Sequence, residues 1–245
     1  MNDSKKIISI NRGKPVTVEY RHRLIETGIY KQPVPGSVFV GVEGLEGDVQ
    51  VDRANHGGPD KAVYVYSHEN YPYWAEVMGH TGYACGHFGE NLTVTNMPDE
   101  SVHIGDIWQI GTVITQVTQP RVPCFKLGMK MEDAGFVERF LHSGRVGFYL
   151  RILETGYLEA GQSLRCLETG LFGLSIRAAM LAIVKNPGQS EIIQQALSIP
   201  ALSEAWRQDL QKRLQALNRP LSSAECESKV FATREQGNQP KKSIT

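Results

Sequence analysis

The sequence predicts a mainly β fold: a barrel-like domain of short strands with a few helices, followed by a small three-helix domain. Three observations point there. Short apolar runs are separated by turns bearing Gly and Pro, which suits a barrel or sandwich better than βαβ units. Apolar and polar residues alternate along several of these runs. Beyond Thr169-Gly170 the spacing turns helical. The 245-residue chain has room for one large domain and an appendage. We divide it into a barrel domain over 5–168 (core about 30–168), a helical unit over 170–217 and a polar tail over 218–245 that reads as disordered.

Composition narrows the function classes. Hydrophobic residues make up 41% and charged residues 21%, an ordinary globular profile. Lys+Arg and Asp+Glu both number 26, so no basic field argues for nucleic acid or an acidic membrane. No apolar run approaches the roughly 20 residues that cross a bilayer, and the first residues carry no secretory pattern. Cys85, Cys124, Cys166 and Cys226 are far apart and form no Cys-x-x-Cys pair, so neither a disulfide framework nor a zinc ribbon fits. A cytoplasmic location is expected, with no nucleic-acid or membrane partner.

The elements are read in chain order. Residues 5–10 and 16–20 read as strands around the turn at Asn11-Arg12-Gly13-Lys14-Pro15, and 38–42 as another after Pro33, Pro35 and Gly36. A polar, glycine-rich stretch over 47–61 leads into an apolar strand over 62–66. Ser67 is placed to cap a helix carrying Tyr71, Trp74, Ala75 and Met78. Pro72 makes that helix start late or kink. His68-Glu69 is not a zinc-protease signature, because the residue four after His68 is Pro72. A second glycine-bearing turn, 86–91, precedes a strand over 92–94. Glycines at 105 and 111 bracket a short strand before the run 113–118. A helix is expected over 133–141 with Gly144 ending it. Val146, Phe148, Leu150 and Ile152 then alternate with Gly147, Tyr149 and Arg151 as a half-buried strand. Residues 158–167 close the β region through the turn at 160–163.

Helices are expected over 175–184, 190–197 and 201–217, broken at Asn186-Pro187-Gly188 and Ile199-Pro200. The third carries the stripe Leu202, Trp206, Leu210, Leu214 and Leu217. Its weak basic character gives no recognition face for DNA. The stripe must be covered by the barrel, a second copy of the chain or a partner protein, which leaves a homo-oligomer open.

The chemistry concentrates at Gln119-Pro120-Arg121-Val122-Pro123-Cys124-Phe125-Lys126-Leu127. The two prolines end the strand and stiffen a corner. Arg121 and Lys126 flank Cys124, and nearby cations favour the thiolate, the form that binds metals and attacks electrophiles. A buried, inert cysteine is the competing reading. At His56-Gly57-Gly58-Pro59-Asp60-Lys61 the paired glycines can form an anion-binding concavity flanked by His56 and Lys61. It is not a Walker loop. An ordinary surface loop accounts for the same residues.

These pieces, with Leu45-Glu46-Gly47-Asp48, Phe88-Gly89-Glu90-Asn91-Leu92 and Gly105-Asp106, resemble the MOSC-domain family, named for the C-terminal domain of molybdenum cofactor sulfurase, in its YiiM-like branch. The resemblance covers about residues 5–168, and the helical segment resembles the branch's three-helix module. It implies a β-barrel-like fold that binds the molybdenum cofactor, a phosphate-bearing pterin dithiolene, with Cys124 as thiolate ligand and catalytic residue. His56, Gly57, Gly58, Lys61, Phe88, Gly89, Glu90, Asn91, Arg121 and Lys126 would contact the cofactor. It implies reduction of small N-hydroxylated compounds, such as hydroxylamino bases and amidoximes, as in detoxification. The chain has no flavin or nicotinamide fingerprint and no pyridoxal phosphate site is expected, so electrons would come from a separate, flavin-containing reductase. Alternatives are a sulfur carrier with a Cys124 persulfide, a cysteine hydrolase pairing Cys124 with His56 or His87, and an interaction module built on residues 170–217. Since no motif residue lies beyond Leu127, a chain ending near Glu168 is expected to keep the chemistry.

Overall fold

Why the strands close into a barrel is visible in their pairing. The computed structural model describes residues 4–51, 57–185 and 190–218. Thirteen strands occur among them: β1 (Lys6–Arg12), β2 (Val16–Tyr20), β3 (Arg23–Thr27), β4 (Gln32–Pro33), β5 (Val38–Gly41), β6 (Gly44–Leu45), β7 (Val63–Ser67), β8 (Leu92–Thr95), β9 (Ile107–Ile110), β10 (Val113–Pro120), β11 (Phe148–Glu154), β12 (Gly156–Leu158) and β13 (Leu164–Glu168). Eight form one mixed sheet in the order β13-β9-β10-β11-β7-β8-β1-β4. The sheet closes on itself between β13 and β1, the strand next to the other end. Ile7 N–H donates to Gln162 O at 3.0 Å, Gly161 N–H to Ile7 O at 2.7 Å and Leu164 N–H to Lys5 O at 2.9 Å. This seam joins β1 to the approach of β13 and removes two exposed sheet edges. Strands β12, β5 and β6 make a small second sheet, and β2 and β3 a separate hairpin.

The prediction of no βαβ unit is corrected at one place. Strands β7 and β8 are parallel, joined by helix α1 (Asn70–Met78), and parallel neighbours require such a crossover. Pro72 sits in the first turn, where a missing N–H costs nothing. Ser67 does not cap α1: its hydroxyl bonds Glu69, and the cap residue is Glu69 itself, without a side-chain bond. Strand β7 is buried along its whole length, as its unbroken apolar sequence requires. Beside it Tyr66, Tyr71, Trp74, Phe88, Phe136 and Phe140 form an aromatic core, anchored where Trp74 Nε1 donates to the Tyr66 hydroxyl at 2.7 Å.

Two further helices come after the corner that ends β10: α2 (Phe125–Lys130), which the sequence reading did not separate, and α3 (Phe136–Ser143), ended by Gly144 in the left-handed region as expected. Helices α4 (Ile176–Lys185), α5 (Ser190–Ser198) and α6 (Glu204–Asn218) match the expected three, while the break at 186–188, like the tail from 219, lies outside the described residues. Their apolar stripe is covered by the barrel as well as by one another. Leu202, Trp206 and Leu210 join Ile104, Val117, Ile176 and Met180 in one continuous core. A side chain at Gly144 would come within 3.0 Å of Leu181, so the glycine also sets how closely α4 approaches α3. No helix among the described residues is long and apolar enough to cross a membrane.

Candidate functional site

The corner that carries Cys124 is shaped by a bulge. The register between β10 and β11 shifts between Val117 and Gln119, leaving Thr118 as the extra residue. Its hydroxyl lies 2.7 Å from Asp60 O and 3.2 Å from Tyr149 O. Such a bulge bends its strand and re-aims the residues beyond it. Arg121 N–H donates to Gly147 O at 3.0 Å, the last tie to the barrel. Cys124 is extended (φ −107, ψ 177) and half-buried, at the position before α2.

Two cavities meet at this thiol, and Cys124, Lys126 and Tyr149 line both. The narrower, about 100 Å³, is bordered by Thr27, Gly28, Ile29, Lys31, Gly89 and Arg121. The wider, about 590 Å³, lies between the barrel and α4 and α6. Apolar residues, among them Val122, Phe125, Met180 and Trp206, share its wall with Lys61, Lys126, Asp209 and Arg213.

Electrostatics distinguishes them. Arg121 is only 6% exposed and lines the narrow cleft. Its guanidinium lies 4.9 Å over the Tyr64 ring and 5.5 Å over Phe140, and its Nη1 is buried without a hydrogen-bond partner. An unpaired buried donor on a cation is costly unless something fills it. Lys31, also in the cleft, is already matched by Asp48, with Nζ–Oδ2 at 2.6 Å. Burial pulls the Lys31 pKa down while Asp48 pushes it back up. Burial raises the Tyr149 phenol, Arg121 opposing, so Tyr149 offers a neutral hydroxyl rather than a proton acid. Lys126 Nζ donates to Glu26 O at 3.2 Å and ties the β2–β3 hairpin to the corner.

Lys130 Nζ donates to Ile29 O at 3.1 Å, in the cleft's lining, and to Gly86 O at 3.0 Å, tying the 27–29 segment to the turn that carries Gly89. Burial holds its pKa down at about 8, with Glu90 acting in the opposite sense.

A MOSC domain model matches residues 52–165, and a YiiM-like, 3-alpha helix domain model matches 190–217. The crystal structure of YiiM from Geobacillus stearothermophilus is similar with a TM-score of 0.73 at 37% identity, covering 86% of this chain and 99% of that one. The chain belongs to the YiiM-like MOSC-domain family. It is 42% identical over 207 residues to the uncharacterized protein YflK of Bacillus subtilis (strain 168), spanning 84% of this chain and 93% of that protein. A protein named reductase from Gibberella moniliformis (strain M3125 / FGSC 7600) is 40% identical over 147 residues, spanning 59% of this chain but 26% of its own length.

Within this MOSC domain the motif residues divide into those at the cavities and those that hold them. Cys124, Arg121, Lys126 and Gly89 come together at the cleft, and Lys61 lines the wide cavity. Phe88 does not face the cleft: it is fully buried against Tyr66 and Tyr71. Glu90 is likewise fully buried, accepting from Gly86 N at 2.8 Å, Thr93 Oγ1 at 2.7 Å and the Tyr71 hydroxyl. Asn91 borders the cleft with its amide committed: Oδ1 accepts from Tyr64 N at 3.1 Å and Nδ2 donates to Asp48 Oδ2 at 2.8 Å. Phe88 and Glu90 border neither cavity, and Glu90 Oε2 is buried with no hydrogen-bond partner. Gly58 takes φ 91, open to glycine, ahead of the one-turn helix Pro59–Lys61; neither it nor Gly57 borders either cavity. His56 lies outside the described residues.

Sequence reasoning missed Lys31, Tyr149, Lys130 and the 27–29 segment. Tyr149 alone had a signal, an aromatic on the polar side of an alternating strand. His87, the other base considered for Cys124, borders neither cavity and stacks on Tyr83 at 4.3 Å. Burial, helped by Lys130, holds its pKa at about 4. The folded protein thus keeps His87 neutral where an unfolded chain would protonate it below about 6.5. Its contribution is whole above about pH 6.5 and lost as pH falls toward 4, roughly 1–2 kcal/mol after allowance for partial exposure. Urea unfolding across this window should show a steeper acid loss for the wild type than for His87→Gln; equal slopes would remove His87 from the account.

Proposed function

We propose that this protein holds a molybdenum-pterin cofactor at the Cys124 junction and reduces small N-hydroxylated compounds there, with electrons from a separate flavin-containing reductase. The observation that carries the reading is the buried, unpartnered Arg121 Nη1 beside the family's single cysteine. The residues fit such a group. Cys124 offers one soft thiolate donor, which suits a metal whose other ligands arrive with the cofactor. Among the described residues no cluster of three His, Cys, Asp or Glu converges on a metal position. Arg121 would take the anionic tail, with Lys126 as a second cation and Lys31 kept neutral as a pair by Asp48. This shifts the anion site from the Gly57-Gly58 turn to the narrow cleft.

When bound, the cofactor supplies a two-electron, oxygen-accepting centre. The net change is R–NH–OH plus two electrons and two protons giving R–NH₂ and water. The chain's own residues would hold and orient: Tyr149 presents a neutral hydroxyl at the junction of the cavities, and Val122, Phe125, Met180 and Trp206 in the wider one limit water near the thiol.

Purified protein should carry stoichiometric molybdenum with an oxidisable fluorescent pterin, and reduce benzamidoxime with an artificial donor. Arg121→Met, which keeps the packing volume, should lower cofactor retention by about ten-fold or more. Metal-free protein with a cyanolysable sulfur on Cys124 would replace this reading with sulfur transfer.

A further inference from the structure

We infer that the β2–β3 hairpin and the α2–α3 corner form the docking surface for the electron donor, and that this donor presents an acidic face around its flavin. This rests on the proposed reading in requiring a separate reductase. The hairpin is a sheet of its own. Between it and the corner lies a groove of about 500 Å³, lined by Tyr20, Arg21, Arg23, Ile25, Phe125 and Val137. Two guanidiniums and no carboxylate border it. Both arginines are exposed, and neither is in an ion pair among the described residues. The hairpin's own carboxylates point elsewhere. Glu19 registers with Leu24 and Glu26 with Thr17, one step off the pairs Tyr20–Arg23 and Val18–Ile25, so alternation puts them on the face away from the groove. Asp133, near the corner, is already paired with Arg139. With Lys+Arg and Asp+Glu balanced at 26 each, the chain has no global field, and steering of a charged partner falls to local groups such as these.

The groove reaches the reacting centre through one residue. Phe125, 51% exposed, follows Cys124 directly and lines both this groove and the wide cavity. No other described residue is shared by the two linings, so a protein in the groove and a small molecule in the cavity do not compete for the same walls. The Phe125 ring stacks on Tyr20 at 6.3 Å, and Arg21 lies 5.2 Å over the Tyr20 ring. The hairpin tip supports the same reading. Arg21 and His22 hold φ 50 and 60 where Asn-Gly is the relaxed choice. Strain kept at an exposed tip suits side chains that a partner reads. A reduced flavin in such a donor gives up two electrons and two protons as it returns to its oxidised form, which balances the two electrons and two protons that R–NH–OH takes up.

Full-length protein is titrated with flavodoxin, a small acidic FMN protein, and benzamidoxime reduction is driven in parallel by reduced flavodoxin and by reduced methyl viologen. The variant combines Arg21→Asn with Arg23→Glu; asparagine favours positive φ, so the turn is retained. We expect the Kd and KM for flavodoxin to rise about ten-fold or more, with viologen-driven turnover within about two-fold and molybdenum content unchanged. Raising salt from about 0.05 to 0.3 M should weaken flavodoxin binding several-fold in the wild type and little in the variant. Arg23→Gln alone should fall between, and serves if the double variant does not fold. Unchanged flavodoxin binding in the variants, equal losses with both donors, or a wild type that does not bind flavodoxin overturns the assignment. So does a dimer in sedimentation that the variant dissociates, which would make the groove an interface between copies. A wild type that holds no molybdenum and reduces nothing with either donor fails the proposed function instead, and the flavodoxin titration still judges the surface.

Discussion

Replacing Cys124 with serine is expected to abolish reduction of N-hydroxylated substrates while leaving the protein as stable as before, or slightly more so. The two effects separate because the residue occupies two roles. As a ligand it supplies a soft thiolate, and a neutral hydroxyl is a poor substitute. The activity loss should exceed the roughly 10–100-fold typical of removing a residue that merely supports a metal ligand. As a backbone position it immediately precedes α2 and makes no side-chain capping bond there. Serine is among the best residues at such a position, so the hydroxyl should add about 0.5–1 kcal/mol of stability. Steady-state turnover and thermal unfolding on the same preparation check both halves. A variant that retains molybdenum and full activity would sink the role assigned to Cys124.

A chain ending near Glu168 is expected to fail as a folded protein, contrary to what the distribution of motifs suggests. The cut removes Ile176, Met180, Leu202 and Trp206 from the continuous core and leaves Ile104 and Val117 facing water. Each large buried apolar side chain lost costs about 2–5 kcal/mol, against a typical total of roughly 5–15. Gln119 and Asp60 would also lose their partners Ser203 and Glu204 N. Circular dichroism and urea unfolding of the truncated chain should show no cooperative transition. A soluble chain within about 2 kcal/mol of the full protein would restore the helices to an independent appendage.

The sequence disclosed the barrel because alternation survives in single strands, as from Val146 to Ile152. It showed β2 but hid its hairpin partner β3, because the two-residue turn between them is Arg21-His22, both at positive φ without the glycine or asparagine that usually marks such a turn. Helix α2 was hidden by its length, six residues directly behind Pro123. At the site, Cys124 and Arg121 were legible because the corner is local. Lys31 and Lys130 were not, since their place around the cleft comes from segments distant in the chain. The helical wall was missed because Trp206 reads equally as core and as lining, and it is both. The motif turn 88–91 divides in a way its sequence does not show. Asn91 commits its amide to Tyr64 N and Asp48, while Glu90 accepts through Oε1 from Gly86 N, Thr93 and Tyr71 and keeps a buried Oε2 with no hydrogen-bond partner.

The seam between Lys5–Ile7 and 161–164 also sets a timetable for synthesis. Strand β1 is made before every other strand described, but the partners that cover its seam edge are made only when nearly the whole barrel has been translated. At about 5–20 residues per second, this amounts to an interval on the order of ten seconds or more. During that time an apolar strand stands with an open edge, a state that invites pairing with other nascent chains. Closure between such distant segments is also entropically slow. The helices that complete the core are made later still, after every strand that they help to cover.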